Sequence, residues 1–325
     1  MSAILPDLTI VIVNYNTRQL LQPCLDAVRA SAGGLRLQII VIDNGSRDGS
    51  AEFMKAEFMK ARLEGCELMF NAVNVGFGRA NNQALPLSRG RYLLLLNTDA
   101  FVSENSLEST VRFMDDHPRV GVLGVRLVGR DGDLQPSCRY FPTPWNEFLA
   151  RTGLSRLFPR TRLVDDMTWP HDSPRACDWV TGCYYLARKS LVDTVGLFDP
   201  RFFLYYEEVD HCRSVRAAGR EVFFFPHTTV VHIGGESAKS DSELTASGRQ
   251  ISALQIESGL LYFRKHHGLR GVWLAAALAA LGDAWLALKH MVRAPSWHWP
   301  AGAWNQSATT WRLVRETSFG RRSTR

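Results

Sequence analysis

Short apolar runs alternate with longer amphipathic ones from the first residues of the chain onward. Leu8 to Val13 is a β-branched run bounded by Asn14 and Tyr15, which predicts a strand buried on both faces. A helical stretch follows from about Arg18 to Ser31 and stops at Gly33 and Gly34. Leu37 to Ile42 predicts a second strand, a helix spans 50–63, and a short strand lies near 67–70. A helix near 77–87, a strand from Tyr92 to Leu96, a helix from Glu104 to Asp116 and a strand from Val120 to Val125 extend the series. Alternation of this kind over 125 residues predicts parallel βαβ units with right-handed crossovers. Inside the second helix Ala51 to Lys55 repeats at once as Ala56 to Lys60. Five residues advance a helix by ~500°, so the copies cannot share a face, and the repeat implies no function.

Beyond Val125 the periodicity fades. Residues 126–175 carry Pro136, Pro142, Pro144, Pro159, Pro170 and Pro174, an irregular excursion of the kind that shapes acceptor sites. Order returns at Trp179 to Arg188, followed by a helix from Glu208 to Ala218 and a strand from Glu221 to Phe225. Later, Leu274, Leu278, Leu281, Trp285 and Leu288 fall on one helical face, with Ala276, Ala280, Asp283 and Ala287 opposite. A spanning helix needs ~20 strongly apolar residues, and this one is alanine-rich with an internal acid. Spanning, docking at a membrane interface and packing on the body are the three readings.

Charge separates the tail from the rest. Residues 1–263 hold 28 Lys/Arg against 30 Asp/Glu, whereas 264–325 hold 10 against 2, with six of the nine tryptophans. Lys289, Arg293, Arg312, Arg315, Arg321, Arg322 and Arg325, with Trp297, Trp299 and Trp304, favour an anionic membrane surface. Nucleic acid is disfavoured as a partner, because the basic residues are confined to the tail. Met1 to Asp7 has neither the charge nor the apolar run of a signal peptide, so the expected compartment is the cytoplasm. The six cysteines, without metal spacing or a CxxC pair, are expected to be reduced.

Three polar loops leave the C-terminal ends of the early strands, where ligands sit in an open α/β sheet. They are Asn14-Tyr15-Asn16, Asp43-Asn44-Gly45-Ser46 and Asn74-Val75-Gly76-Phe77-Gly78-Arg79. An aromatic ring, amides, a carboxylate and glycines for close backbone approach suit a nucleotide. Ordinary turn chemistry would explain any one loop, but three on one edge favour the ligand. A dinucleotide site is excluded by placement, since the turn after the first strand has no glycine and no P-loop follows.

Asn97-Thr98-Asp99 ends a run of four leucines with a carboxylate beyond the strand edge, too far from the next helix to cap it well. One acid supplies one hard-metal ligand, so Mg²⁺ or Mn²⁺ there would need phosphate oxygens, water and another side chain. His232, on a tight loop before Gly234 and Gly235, is the candidate. A hundred residues on, Glu207 and Glu208 stand where the aromatic segment Phe198 to Tyr206 turns into a helix.

These segments, in this order, resemble the family 2 inverting glycosyltransferases, and most of all the bacterial branch that adds rhamnose or a related sugar to surface polysaccharides. The likeness is carried by 11–16, 41–46, 74–77, 95–99, 179–182, 198–210 and 232–237, and leaves 126–175 and the tail uncovered. It implies a GT-A nucleotide-sugar-binding fold, α/β and Rossmann-like, its mostly parallel sheet flanked by helices, with a C-terminal helical tail. Residues 1–240 would form the transferase domain, with a nucleotide half (1–125) and an acceptor half (126–240), and 241–325 the appended region.

By position, the resemblance implies that Tyr15 and Asp43 contact the base of a dTDP- or UDP-sugar. Asn97 and Asp99 take the place of the family's DxD motif, Asp99 and His232 hold the metal, and Glu208 is the catalytic base. Trp179 and Gly182 lie where a glycan or lipid-linked glycan acceptor enters. Glu207 either orients a substrate hydroxyl there or is structural, and Arg79 would help stabilise the leaving diphosphate. Asn97 departs from the usual acid, leaving Asp99, His232 and the donor to carry the metal. A sugar nucleotidyltransferase would need a glycine-rich basic loop after the first strand; a non-catalytic nucleotide- or glycan-binding module is the other alternative.

Overall fold

The structure, a computed structural model, describes residues 5–59, 65–234, 249–293 and 305–325. Lys60, Glu236, Ser237, Trp297, Trp299, Trp304 and the side chain of Arg293 therefore lie outside the described residues. Strands β1 (Leu8–Asn14), β2 (Leu37–Asp43), β3 (Cys66–Phe70) and β4 (Tyr92–Asn97) form a parallel set in the order β3-β2-β1-β4. Every residue of β1 is buried, as a continuous apolar run requires. Ile10 and Ile12 join one apolar layer and Val11 and Val13 the other, as the two-residue period of a strand dictates.

Helix α1 (Arg18–Ala30) buries Leu21, Cys24, Leu25 and Val28 against this sheet. Helix α2 (Ser50–Met59) and α3 (Phe77–Gln83) connect the next strands, the latter ending in a short 3₁₀ turn at Leu85–Leu87. After β4 a three-residue strand β5 (Ala100–Val102) intervenes before α4 (Ser106–Asp116) and β6 (Val120–Val128).

The second half of the sheet is mixed. Strand β9 (Tyr184–Arg188) lies between β4 and β6, antiparallel to both, so the run of parallel pairing stops at β4. Strand β10 (Glu221–His232) is parallel to β6 and antiparallel to β5. It runs seven residues past the predicted end at Phe225 because its register shifts between Phe225 and Thr229, around Pro226, where a missing N–H is tolerated. That extension sets His232 opposite Ala100, beside Asp99.

The proline-rich stretch is more ordered than its pattern suggested. It forms a short strand β7 (Leu134–Gln135) paired with β6, a helix α5 (Pro144–Thr152) and a strand β8 (Arg175–Cys177) paired with β10. Helix α5 starts with a reciprocal cap between Thr143 and Asn146 and with Pro144 in its first turn. Helices α6 (Lys189–Val195) and α7 (Glu207–Ala217) follow. Helix α8 (Arg249–Arg293), kinked at Gly268 with φ 66, and α9 (Asn305–Glu316) close the chain's order of elements.

The alanine side of α8 faces the body. Ala276, Asp283 and Ala287 are buried, whereas Leu274, Leu281, Trp285 and Leu288 are exposed. Asp283 pairs with Arg151 of α5 and accepts the Ser307 N–H at 2.8 Å. Among the described residues Ala253–Val292 is the helix long and apolar enough to cross a membrane. Its buried ion pair and body contacts put one face in protein. All six cysteines are free and buried.

Candidate active site

Parallel register pairs Asn14 with Asp43 at the ends of β1 and β2. The Asn14 amide donates to Asp43 Oδ1 at 3.0 Å and to Ser46 Oγ at 3.2 Å, and the Ser46 N–H donates to Asp43 Oδ2 at 3.1 Å. Tyr15 sits between this network and Asn16, whose φ of 53 lets the chain turn over it. In the neighbouring loop Asn44 donates to Asn74 Oδ1 at 2.9 Å and accepts the Val75 N–H at 3.1 Å. Asn74 also accepts the Gly76 N–H at 2.9 Å. Asn44 and Asn74 thus fasten two loops together. Gly76 has φ 90, and a Cβ there would come within 2.5 Å of the Phe203 carbonyl oxygen. That close approach explains the glycine and joins the third loop to the segment leading to Glu208. Arg79 donates to the carbonyls of Pro200 and Arg325 at 2.7 and 3.0 Å, so backbone oxygens take its guanidinium.

Asp99 is buried, 3% exposed, at the turn between β4 and β5. His232 Nε2 lies 3.5 Å from its Oδ1. Gln135, on β7, decides the histidine's tautomer. Its amide nitrogen donates to the His232 carbonyl at 2.9 Å, which leaves Oε1 to face His232 Nδ1 at 2.8 Å. Nδ1 must then be the protonated nitrogen, and in the neutral ring Nε2 presents a lone pair to the carboxylate. Burial holds the imidazole below its usual pKa against the opposing pull of Asp99, which favours that neutral ring.

The 182–183 turn connects this pair to the acids of α7. The Asn97 N–H donates to the Cys183 carbonyl at 3.1 Å, and a Cβ on the adjacent Gly182 would stand 3.7 Å from Glu208 Oε1. Larger side chains at 182 would crowd that carboxylate. Burial raises the pKa of Glu208, while its own N–H, the Arg139 charge and the Gly182 N–H pull the other way. Glu207 is raised further, by burial and then by the charge of Glu208, and packs toward Gly78. Trp179 is buried under the Arg139 guanidinium, 4.8 Å from its ring centre, and donates to the Tyr140 carbonyl at 2.8 Å. The sequence-selected residues therefore gather at one sheet edge, with Arg79 turned to backbone and Glu207 behind Glu208.

The sequence model described as Glycosyl transferase family 2 matches residues 9–169, about half of the chain. The N-acetylglucosaminyl-diphospho-decaprenol L-rhamnosyltransferase of Mycobacterium tuberculosis is 26% identical over 224 residues, covering 63% of this chain and 69% of the relative. The low-salt glycan biosynthesis hexosyltransferase Agl10 of Haloferax volcanii is 20% identical, covering 65% and 62%. Among solved structures, the mannosyltransferase PcManGT of Pyrobaculum calidifontis, in complex with GDP-Man and Mn²⁺, superposes with a TM-score of 0.56 at 15% identity over 98% of this chain and 88% of that one. S. aureus TarS gives 0.51 at 14% identity over 96% and 91%. The chain belongs to glycosyltransferase family 2.

The transferase fold is GT-A, and its C-terminal helices reach the site. Tyr205 and Tyr206, immediately before Glu207, both have φ 70, a conformation costly for side-chain-bearing residues. The Tyr206 ring packs on Tyr262 and Phe263 of α8, and its hydroxyl donates to Glu147 of α5. Burial pushes the Glu147 carboxyl up to about 7. Ser258 of α8 donates to the Leu204 carbonyl at 2.8 Å. Lys265 and His266 hold the Asp210 carboxylate at 2.7 Å each, and Lys265 also reaches Asp199 at 2.8 Å. Gln135, Glu147, Tyr206 and this ion cluster escaped the sequence reading. Asp199, Tyr206 and Asp210 stood inside a selected segment; the others come from stretches that tertiary packing delivers to the site.

Proposed function

We propose that this glycosyltransferase moves rhamnose or a related hexose from a dTDP- or UDP-sugar to a hydroxyl of a lipid-linked glycan, with inversion at the anomeric carbon. The observation that supports this most is the placement of two unlike carboxylates on either side of the 182–183 turn. Asp99 faces a histidine lone pair at one side, and Glu208 touches Gly182 at the other.

Glu208 accepts the proton of the acceptor hydroxyl as its oxygen attacks the anomeric carbon. The bond to the donor diphosphate breaks in the same displacement, and the nucleoside diphosphate leaves. A raised pKa suits a base that must hold the proton it removes. Asn14, Tyr15, Asp43, Asn44, Ser46, Asn74 and Gly76 shape the nucleotide side, and Trp179 and Gly182 the acceptor side. A divalent cation fits the donors present. Two facing acceptors, Asp99 Oδ1 and His232 Nε2, are brought together 3.5 Å apart with Gln135 fixing the ring. Among the described residues no third His, Cys, Asp or Glu joins them, so donor oxygens and water would complete the shell. When bound, the cation supplies charge to the leaving diphosphate.

The exposed face of α8 carries Trp273, Leu274, Leu281, Trp285 and Leu288, with exposed Arg270 one turn before Trp273, and α9, whose Trp311 packs on Trp273, exposes Arg312 and Arg315. Aromatic, aliphatic and basic groups together suit the cytoplasmic surface of an anionic membrane, where a lipid-linked acceptor is anchored. The test is release of nucleoside diphosphate from a panel of nucleotide-sugars, with and without a lipid-linked glycan, and the product mass read by spectrometry. Acceptor-dependent release with one added hexose supports the reading. Donor binding without transfer to any acceptor would leave a binding module in its place.

A further inference from the structure

The C-terminal part of the chain bears on the site at two places. Ile256, Gly259, Leu260 and Phe263 of α8 line a cavity of 1220 Å³ that also reaches Glu147, Trp179 and Glu208. Glu257 does not line that cavity; it is buried, 6% exposed, and its carboxylate is held by Ser323 and Thr324. The Thr324 N–H donates to Oε1 at 2.7 Å, the Thr324 hydroxyl to Oε2 at 2.8 Å and the Ser323 hydroxyl to Oε1 at 3.3 Å. Gly320, with φ 70, lets the chain beyond α9 lie this close to α8: a Cβ there would stand 2.5 Å from the Leu260 carbonyl oxygen. From Glu257 the contacts lead to the donor side. The Arg325 guanidinium lies over the Phe203 ring, 5.3 Å from its centre, and the Arg325 carbonyl accepts from Arg79 Nη2 at 3.0 Å. Arg79 Nε donates to the Pro200 carbonyl at 2.7 Å. The Phe203 carbonyl accepts the Phe77 N–H at 2.9 Å and is the oxygen against which Gly76 packs.

We propose that Ser323 to Arg325 form a clamp, anchored on Glu257, that grips Arg79 and Phe203 and so holds the 74–79 loop in the shape that receives the nucleoside diphosphate. The inference rests on the glycosyltransferase reading above and adds positioning residues for the donor that lie outside the transferase sheet. It also changes the part played by Arg79, from a ligand of the leaving diphosphate to a strut. Three observations carry it. First, Arg79 gives Nε and Nη2, one edge of its planar fork, to two carbonyl oxygens, so that edge ties backbone to backbone. Second, a loop containing Gly76 and Gly78 has little stiffness of its own, and the residues that fasten Arg79 lie 121 and 246 positions away in the chain. The restraint on the loop is therefore tertiary. Third, a buried carboxylate is costly unless its oxygens are hydrogen-bonded, and among the described residues Ser323 and Thr324, not a cation, satisfy Glu257. Glu257 thus fixes where the segment lies, and the segment fixes Arg79 and Phe203.

The experiment is a double-mutant cycle on the full chain, with Glu257→Ala, Arg79→Ala and the two combined, read by calorimetry with UDP and dTDP in the presence of Mn²⁺ and by steady-state turnover. Each single variant is expected to weaken nucleoside diphosphate binding on the order of 10-fold, the worth of about one hydrogen bond to a charged group. The combined variant should weaken it by about the same factor and not by the product, because both substitutions open one connection. Donor KM should rise by more than kcat falls, with acceptor KM unchanged. Glu257→Gln should restore donor affinity, since its amide offers an oxygen to the Thr324 N–H and an N–H to the Thr324 hydroxyl. Thermal melting identifies a variant that fails to fold; Thr324→Val and Arg325→Ala, both at exposed positions, then replace Glu257→Ala in the cycle. Donor affinity unchanged in folded variants overturns the clamp. So does a combined effect equal to the product of the single ones, which would return Arg79 to direct contact with the diphosphate. A parent that binds neither nucleotide and turns over no nucleotide-sugar is a different result, in which the glycosyltransferase reading itself fails.

Discussion

Replacing Glu147 by glutamine tests how the turn before Glu208 is held. The Glu147 carboxyl is enclosed beside the Tyr206 hydroxyl, with Tyr262 the other titratable group facing it. Burial lifts it from 4.5 to about 7 in the folded chain. A folded pKa above the unfolded one means the protonated form is favoured by folding. Its contribution is complete below about pH 4.5 and is lost as pH rises through about 7. At 1.36 kcal/mol per unit, this is at most about 3 kcal/mol, reduced by water that enters the adjoining cavity. Glutamine keeps the shape and the oxygen that accepts the Tyr206 hydroxyl but cannot ionise. Urea unfolding of parent and Glu147→Gln from about pH 5 to about pH 8.5 is the assay, because other titrations cancel in the difference. The variant should gain on the parent between about pH 5 and about pH 7, by roughly 1–3 kcal/mol, and the difference should level off at higher pH. Parallel stability curves across that range would refute the reasoning.

Glu208→Gln should leave donor binding nearly intact and lower turnover by ~10²–10⁴-fold, with Glu207→Gln costing less because Glu207 packs behind the reacting edge. A dead Glu207→Gln beside an active Glu208→Gln would exchange their roles. Because the Glu208 carboxyl is raised, turnover should climb with pH along an acid limb displaced above the ordinary carboxylate range; kcat against pH reads this directly. Asp99→Ala should abolish Mn²⁺-dependent affinity for a nucleoside diphosphate in calorimetry, and His232→Ala should raise the metal concentration required. Metal titration curves that match the parent's would remove either residue from the metal site. Gly76→Ala must meet the Phe203 carbonyl oxygen at 2.5 Å with a positive φ, so a loss on the order of 1–3 kcal/mol in denaturant stability is expected.

The parallel half of the sheet was legible because its strands are short, mostly apolar runs and each loop a cluster of turn-forming polar residues. The β9 insertion was not, since a five-residue apolar strand carries no mark of direction. Likewise β5 is only three residues long, too short for any period. At the site, Asp99 and Glu208 could be picked out because they stand at the ends of elements with strong patterns, whereas Trp179 lies between β8 and β9 and was selected through the family likeness. The His232 reading found the residue but placed it on a loop. It ends a strand whose continuation depends on a register shift around Pro226, information that resides in pairing and not in local sequence. Asn44 and Asn74 looked like ligand groups and are joined to each other, which composition alone cannot distinguish.

The left-handed turn before α7 explains why a basic, tryptophan-rich tail remains attached to a nucleotide-sugar fold. Tyr205 and Tyr206 at φ 70 cost about 1–3 kcal/mol each if nothing opposes relaxation. Neither belongs to the sheet, so the sheet cannot supply the restraint. It comes from α5 through Glu147 and from α8 through Ser258, Tyr262, Phe263, Lys265 and His266, all bearing on residues 199–210. Glu208 is aimed at Gly182 by the turn those contacts hold. A helix that served only as a membrane anchor would have no reason to set Lys265 and His266 on Asp210, two residues from Glu208. The same segment of chain therefore holds the turn that carries Glu208 on its inner face and leaves Trp273, Leu274, Leu281 and Leu288 outward.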